Sequence, residues 1–113
     1  MINRKLISDF ADIIGNLTIA IHLESLESVK NIYKDVLNEL LKWVKYYYKN
    51  KNLDVVNSDN SLRIHVLLDD VRNDLIFNKA IGMESMLSDN ILIRYEVIIK
   101  AINDEKSEKN GKR

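Results

Sequence analysis

Leu17-Thr18-Ile19-Ala20-Ile21-His22-Leu23 is the stretch on which a reading of this chain turns. Leu17, Ile19, Ile21 and Leu23 alternate there with Thr18, Ala20, His22 and Glu24. A helix would scatter these apolar residues around its circumference, whereas a strand sets all four on one face. The alternation predicts a strand over residues 16–24, buried on one side.

Upstream, Leu6, Phe10, Ile13 and Ile14 share one side of a short amphipathic helix over residues 2–14. Gly15-Asn16 is expected to stop it, because both residues tolerate the left-handed conformation. Downstream, Ser25 and Ser28 are candidate N-caps. Val29, Ile32, Tyr33, Val36, Leu37, Leu40, Leu41, Val44 and Tyr47 then follow at spacings of three and four. They predict a helix over residues 26–50, about 35 Å long. Its apolar stripe covers about half the circumference, enough for two neighbours.

Leu53-Asp54-Val55-Val56 precedes Asn57-Ser58-Asp59-Asn60, a run rich in turn formers. Leu62, Ile64, Val66 and Leu68 alternate beyond it, and the pair of runs reads as a hairpin. A helix from Ser61 using Ile64, Leu67, Leu68 and Val71 is the rival reading. Asp69 or Asp70 can cap a further helix reaching Gly82, and Ser88 or Asp89 can restart it. Met86, Leu87, Ile91, Tyr95, Ile98, Ile99 and Ile102 fit one helical side, although Ile91, Ile93, Tyr95, Val97 and Ile99 also alternate. Helix is favoured there, because Leu92 and Ile98 put apolar residues on the second face of any strand. Residues 104–113 read as a polar, disordered tail.

The expected fold is therefore α+β: a small antiparallel sheet of three strands, or four, with long helices on one face. An all-α helical bundle is the alternative. The domain plan is an N-terminal helix over 1–15, an α+β domain over 16–103, and the tail. A narrow sheet with open edges invites another chain.

Composition bounds the function. The 113 residues include 17 basic and 17 acidic side chains, so no global field draws the protein to nucleic acid or membrane. The chain has no cysteine, which removes disulfides and thiolate metal sites and suits a reducing cytosol. Asp9 and Asp12 interrupt the N-terminal apolar run, no run is expected to span a bilayer, and a cytoplasmic protein follows from this reading.

Chemistry-bearing residues are few. His22 and His65 fall on the polar phase of neighbouring strands and could meet near Arg63, but a metal would need a further ligand. Asp69, Asp70 and Asp74 read as helix-start charges before they read as a magnesium site. Lys42, Lys45, Tyr46 and Lys49, beside Trp43 and Tyr47, can neutralise phosphates and stack a base, and are the candidate RNA contacts. No phosphate loop, nucleophile arrangement or zinc motif is present. Neither a catalytic centre nor a cofactor is expected.

Three passages together resemble the small dimer-forming subunit of the KEOPS complex, the Pcc family. They are Leu17-Thr-Ile-Ala-Ile-His-Leu23 with Ser28-Val-Lys-Asn-Ile-Tyr-Lys-Asp-Val-Leu37, then Ser61-Leu-Arg-Ile-His-Val-Leu-Leu-Asp-Asp70, then Met86-Leu-Ser-Asp-Asn-Ile-Leu-Ile-Arg-Tyr-Glu-Val-Ile98. The resemblance spans roughly residues 16–102 in pattern. A longer helix at 26–50 and the added residues 1–15 are the mark of a divergent paralog. It implies a non-catalytic assembly subunit that pairs with itself or a paralogous small subunit and packs its helices on the complex's catalytic ATPase-fold subunit. That complex makes threonylcarbamoyl-adenosine in tRNA. The partner contacts would then be Tyr33, Leu37, Leu41, Leu92, Tyr95 and Ile99. The alternative function is a small helical accessory or viral protein of a nucleoprotein assembly.

Overall fold

A computed structural model describes residues 2–79 and 82–111, with the side chains of 108–111 left aside. Four helices follow one another: α1 (Arg4–Leu23), α2 (Glu27–Asn50), α3 (Ser58–Phe77) and α4 (Met83–Gly111). No strand occurs among the described residues, so the α+β expectation is corrected to all-α. Each helix packs on two neighbours, in the ring α1–α2–α3–α4–α1. Short connections make neighbours antiparallel, giving an up-down-up-down bundle with Cα extents of 52 × 20 × 19 Å.

Three local corrections explain the difference. Residues 16–24 are the second half of α1, which runs without a break through Gly15. Its core side is Leu6, Phe10, Ile13, Leu17 and Ala20, spaced by three and four, while Ile19 and Leu23 are about half exposed. The proposed hairpin is a loop followed by α3, whose core side is Ile64, Leu68, Val71 and Leu75. The polar run 57–60 is a helix start instead of a turn. Asn57 Oδ1 accepts from the Asn60 amide at 2.9 Å, and Asn60 Oδ1 accepts from the Asn57 amide at 2.8 Å. Side chains that close turns by bonding nearby backbone serve equally well as N-caps, and here the capping role wins.

The remaining caps also moved. Asp69 and Asp70 lie inside α3, and Ser88 and Asp89 lie inside α4. Neither Ser25 nor Ser28 caps α2. Leu26 holds that position, and the buried Glu24 carboxylate accepts from the Ser25 and Leu26 amides, both at 3.0 Å. Residues 104–111, expected as a loose tail, continue α4, and Glu105 and Lys106 bind the rest of the bundle through Tyr47 and the Val56 carbonyl. Residues 112 and 113 lie outside the described residues.

α1 is long and apolar enough to cross a membrane by length and composition, contrary to the sequence expectation. Here one of its apolar sides is packed against α2 and α4 while Ile19 and Leu23 remain half exposed, and Asp12 meets Arg94 at 3.3 Å.

Aromatic side chains bridge the bundle's diagonal. Trp43 of α2 meets Tyr95 of α4 with ring centroids 6.4 Å apart, and its Nε1 donates to Glu39 at 3.0 Å. The Tyr47 hydroxyl accepts from the Asn3 amide and donates to Glu105, both at 2.9 Å, so α1, α2 and α4 meet at one phenol. Tyr95 donates to the Ser61 carbonyl at 2.6 Å.

Burial raises the phenols of Tyr33, Tyr47 and Tyr95 above the ordinary 10.0, that of Tyr33 to about 12. A phenol that is harder to ionise when folded supports the fold fully below its unfolded value. That support is lost as pH climbs through the folded value. The bundle should therefore hold to about pH 10 and unfold between there and about pH 12, with tyrosinate absorbance rising as helical ellipticity falls. Tyrosinate absorbance complete before any loss of helix would refute this.

Candidate contact surfaces

On a helix, residues two apart point about 200° from each other, nearly to opposite sides. The alternating stretches are therefore helices that are apolar on two sides. In α3, Ile64 and Leu68 face the core, while Leu62 and Val66 are 62% and 48% exposed. In α4, Ile91 and Tyr95 are buried, while Ile93 and Val97 are 59% and 47% exposed. In α1, Leu17 is buried while Ile19 and Leu23 are half exposed. Each outward pair is spaced by four and so forms one patch. Phe77, Met83 and Met86 add exposed apolar surface toward the α3–α4 turn.

Between α3 and α4 runs an open groove of about 560 Å³, lined among others by Leu62, His65, Glu96, Ile99 and Lys100. His65 Nε2 and Glu96 Oε1 lie 3.6 Å apart across it, and Arg72 meets Asp89 at 3.5 Å further along the same seam.

The expected partner contacts are mostly in the core. Tyr33, Leu92 and Tyr95 are buried, and Leu37 and Ile99 are partly buried against the core cluster. Leu41 alone of the six is substantially exposed. The outward pairs are the residues the sequence reading missed. Their signal was the alternation itself, taken for strand.

The basic residues do converge. Lys42, Lys45 and Lys49 are exposed and Tyr46 half-buried on the side of α2 opposite its core residues, around a shallow depression that also touches Asn50. Trp43 and Tyr47 belong to the core and are lost to any such surface.

The histidines do not meet. They lie on α1 and α3, which are diagonal in the ring, and Arg63 pairs with Glu39 at 3.5 Å. Asp69, Asp70 and Asp74 sit along α3 and not at its start. Among the described residues no three His, Cys, Asp or Glu side chains are grouped to hold a metal ion.

The fold and its surfaces define an antiparallel four-helix bundle whose outer faces carry apolar pairs. The chain matches no protein-family model, no curated protein and no solved structure.

Proposed function

We propose that the protein is a non-catalytic assembly module that pairs with itself or with another small subunit, working in the cytoplasm. The observation that carries this is the bifacial character of α1, α3 and α4. Their inner faces complete the core, and their outer apolar pairs are left for another chain. Scattered exposed apolar residues are ordinary, but the same spacing repeated on three helices is patterned. Membership of the KEOPS complex is not carried forward, because the strand–helix–hairpin–helix order behind the resemblance and the sheet edge it would use give way to four helices.

Sedimentation of the full chain over a wide concentration range tests the reading. A species heavier than the monomer, or a stoichiometric small partner from native extract, is expected. A monomer at the highest attainable concentration, with no such partner, would count against it.

A second reading, contact with RNA in the assembled state, is favoured by the convergence of Lys42, Lys45, Tyr46 and Lys49 on one outer face. Lysines bind phosphate without reading bases, so the contact should be salt-dependent and insensitive to sequence. Replacing Lys45 and Lys49 by Ala should flatten the salt dependence by about one unit of slope per lost phosphate contact. Tyr46→Ala should cost about 1–3 kcal/mol if a base stacks there. RNA affinity unchanged in all these variants would leave the patch as ordinary solvated helix surface.

A further inference from the structure

We propose that two copies of the chain pair antiparallel through the outer side of α4, about a two-fold axis midway between Ile93 and Val97. This rests on the assembly reading above and names its surface.

Met86, Asn90, Ile93, Val97, Lys100 and Asp104 are all exposed, at successive spacings of four, three, four, three and four. That alternation of four and three is the heptad spacing of a seam between two helices. It lies opposite the core side formed by Ile91, Leu92, Tyr95, Ile98 and Ile102, which the bundle already fills. α4 thus has one side satisfied and a second side patterned for another helix.

The seam itself says which helix. Reversing its direction about the midpoint exchanges Ile93 with Val97, Asn90 with Lys100, and Met86 with Asp104. Two antiparallel copies therefore bring apolar residues together at the centre. They also set Lys100 of each copy beside Asn90 of the other and the neighbouring Asp89 carboxylate. A parallel pair would stack Lys100 on Lys100 and Asp104 on Asp104, placing like charges opposite each other at two levels. At the Lys100 and Asp104 levels of the seam, the antiparallel orientation is the one that keeps like charges apart.

Size also fits. A stable dimer buries about 800 Å² on each partner. One helix seam is narrower than that, but Leu62 of α3 lies beside it, in the groove that Lys100 also lines. Ile19 flanks it on the α1 side, seven residues beyond the Asp12 that reaches α4. The face is available along a bundle with extents of 52 × 20 × 19 Å.

The test uses the full chain, whose lack of cysteine leaves no background for disulfide mapping. The wild-type chain should sediment as a dimer, and an Ile93→Asp/Val97→Asp double variant as a monomer with unchanged helical content, since both residues are exposed. Under mild oxidation a mixture of N90C and K100C chains should yield the mixed dimer, whereas N90C alone should not cross-link to itself. A wild-type dimer that survives the double substitution, or that cross-links N90C to N90C, overturns the seam and leaves the assembly reading standing. A monomeric wild-type chain overturns the seam, and the assembly reading falls with it only if no small partner accompanies the chain in native extract.

Discussion

Ile64→Asp is expected to unfold the bundle, while Val66→Asp, two positions along the same helix, should leave it folded. Ile64 is fully buried between α3 and its neighbours, and Val66 is 48% exposed on the far side. Placing an unpaired carboxylate at Ile64 costs several kcal/mol, about 3–5 if it is held charged. That is a large share of the roughly 5–15 kcal/mol that holds a domain together. At Val66 the new carboxylate meets water. Far-UV circular dichroism and urea midpoints separate the outcomes. A strand through residues 62–68 would put both side chains on one face, so equal damage would restore the sheet and refute the helix. In α1 the same contrast is expected between Leu17→Asp and Ile19→Asp, because Leu17 is buried and Ile19 is half exposed.

The second large effect is expected from Trp43→Ala. Trp43 is fully buried, and it spans the diagonal to Tyr95, which no backbone contact between α2 and α4 covers. Its removal leaves a void that four helices cannot easily close and deprives Glu39 of an indole donor. The loss should be about 3–5 kcal/mol, read as a lower urea midpoint with little change in slope. Trp43→Phe should recover part of it by refilling the space. Fluorescence disappears with the only tryptophan, so ellipticity must report the transition. A loss below about 1 kcal/mol would mean that the centre of the bundle is held by something other than this aromatic bridge.

What was legible in the sequence follows from how many sides of each helix are apolar. α2 has a polar side in Lys42, Lys45 and Lys49, so its period stood out and its bounds came within a residue or two. α1, α3 and α4 place apolar residues on opposite sides, and two opposed helical stripes interleave in sequence as a period of two. Leu62 and Val66 belong to one stripe and Ile64 and Leu68 to the other, yet in order they alternate as a strand does. Length was the available arbiter: the apolar pattern continues through Val71 and Leu75, beyond an ordinary strand. The basic patch was readable because it needs only one helix. The outward pairs were not, because the residues that reveal them were assigned to a sheet. The histidine pair dissolved for the same reason, since its proximity assumed strands, while the aspartates read as helix-start charges fall inside α3 because that helix already begins at Ser58.

The ring of helices also has a direction in time. α1 is covered on one flank by α2 and on the other by α4, the last of the four described helices. During synthesis α1 is made before α4, and some sixty residues separate Leu23 from Met83. At bacterial to eukaryotic elongation rates that interval is on the order of three to twelve seconds. Throughout it, a segment apolar enough to enter a bilayer has one side bare. The bare side is covered only once α4 itself has been made and docks, fastened to α1 by Arg94 to Asp12. The nascent chain therefore passes through a stage in which whatever reads hydrophobic helices at the ribosome competes with α4 for α1.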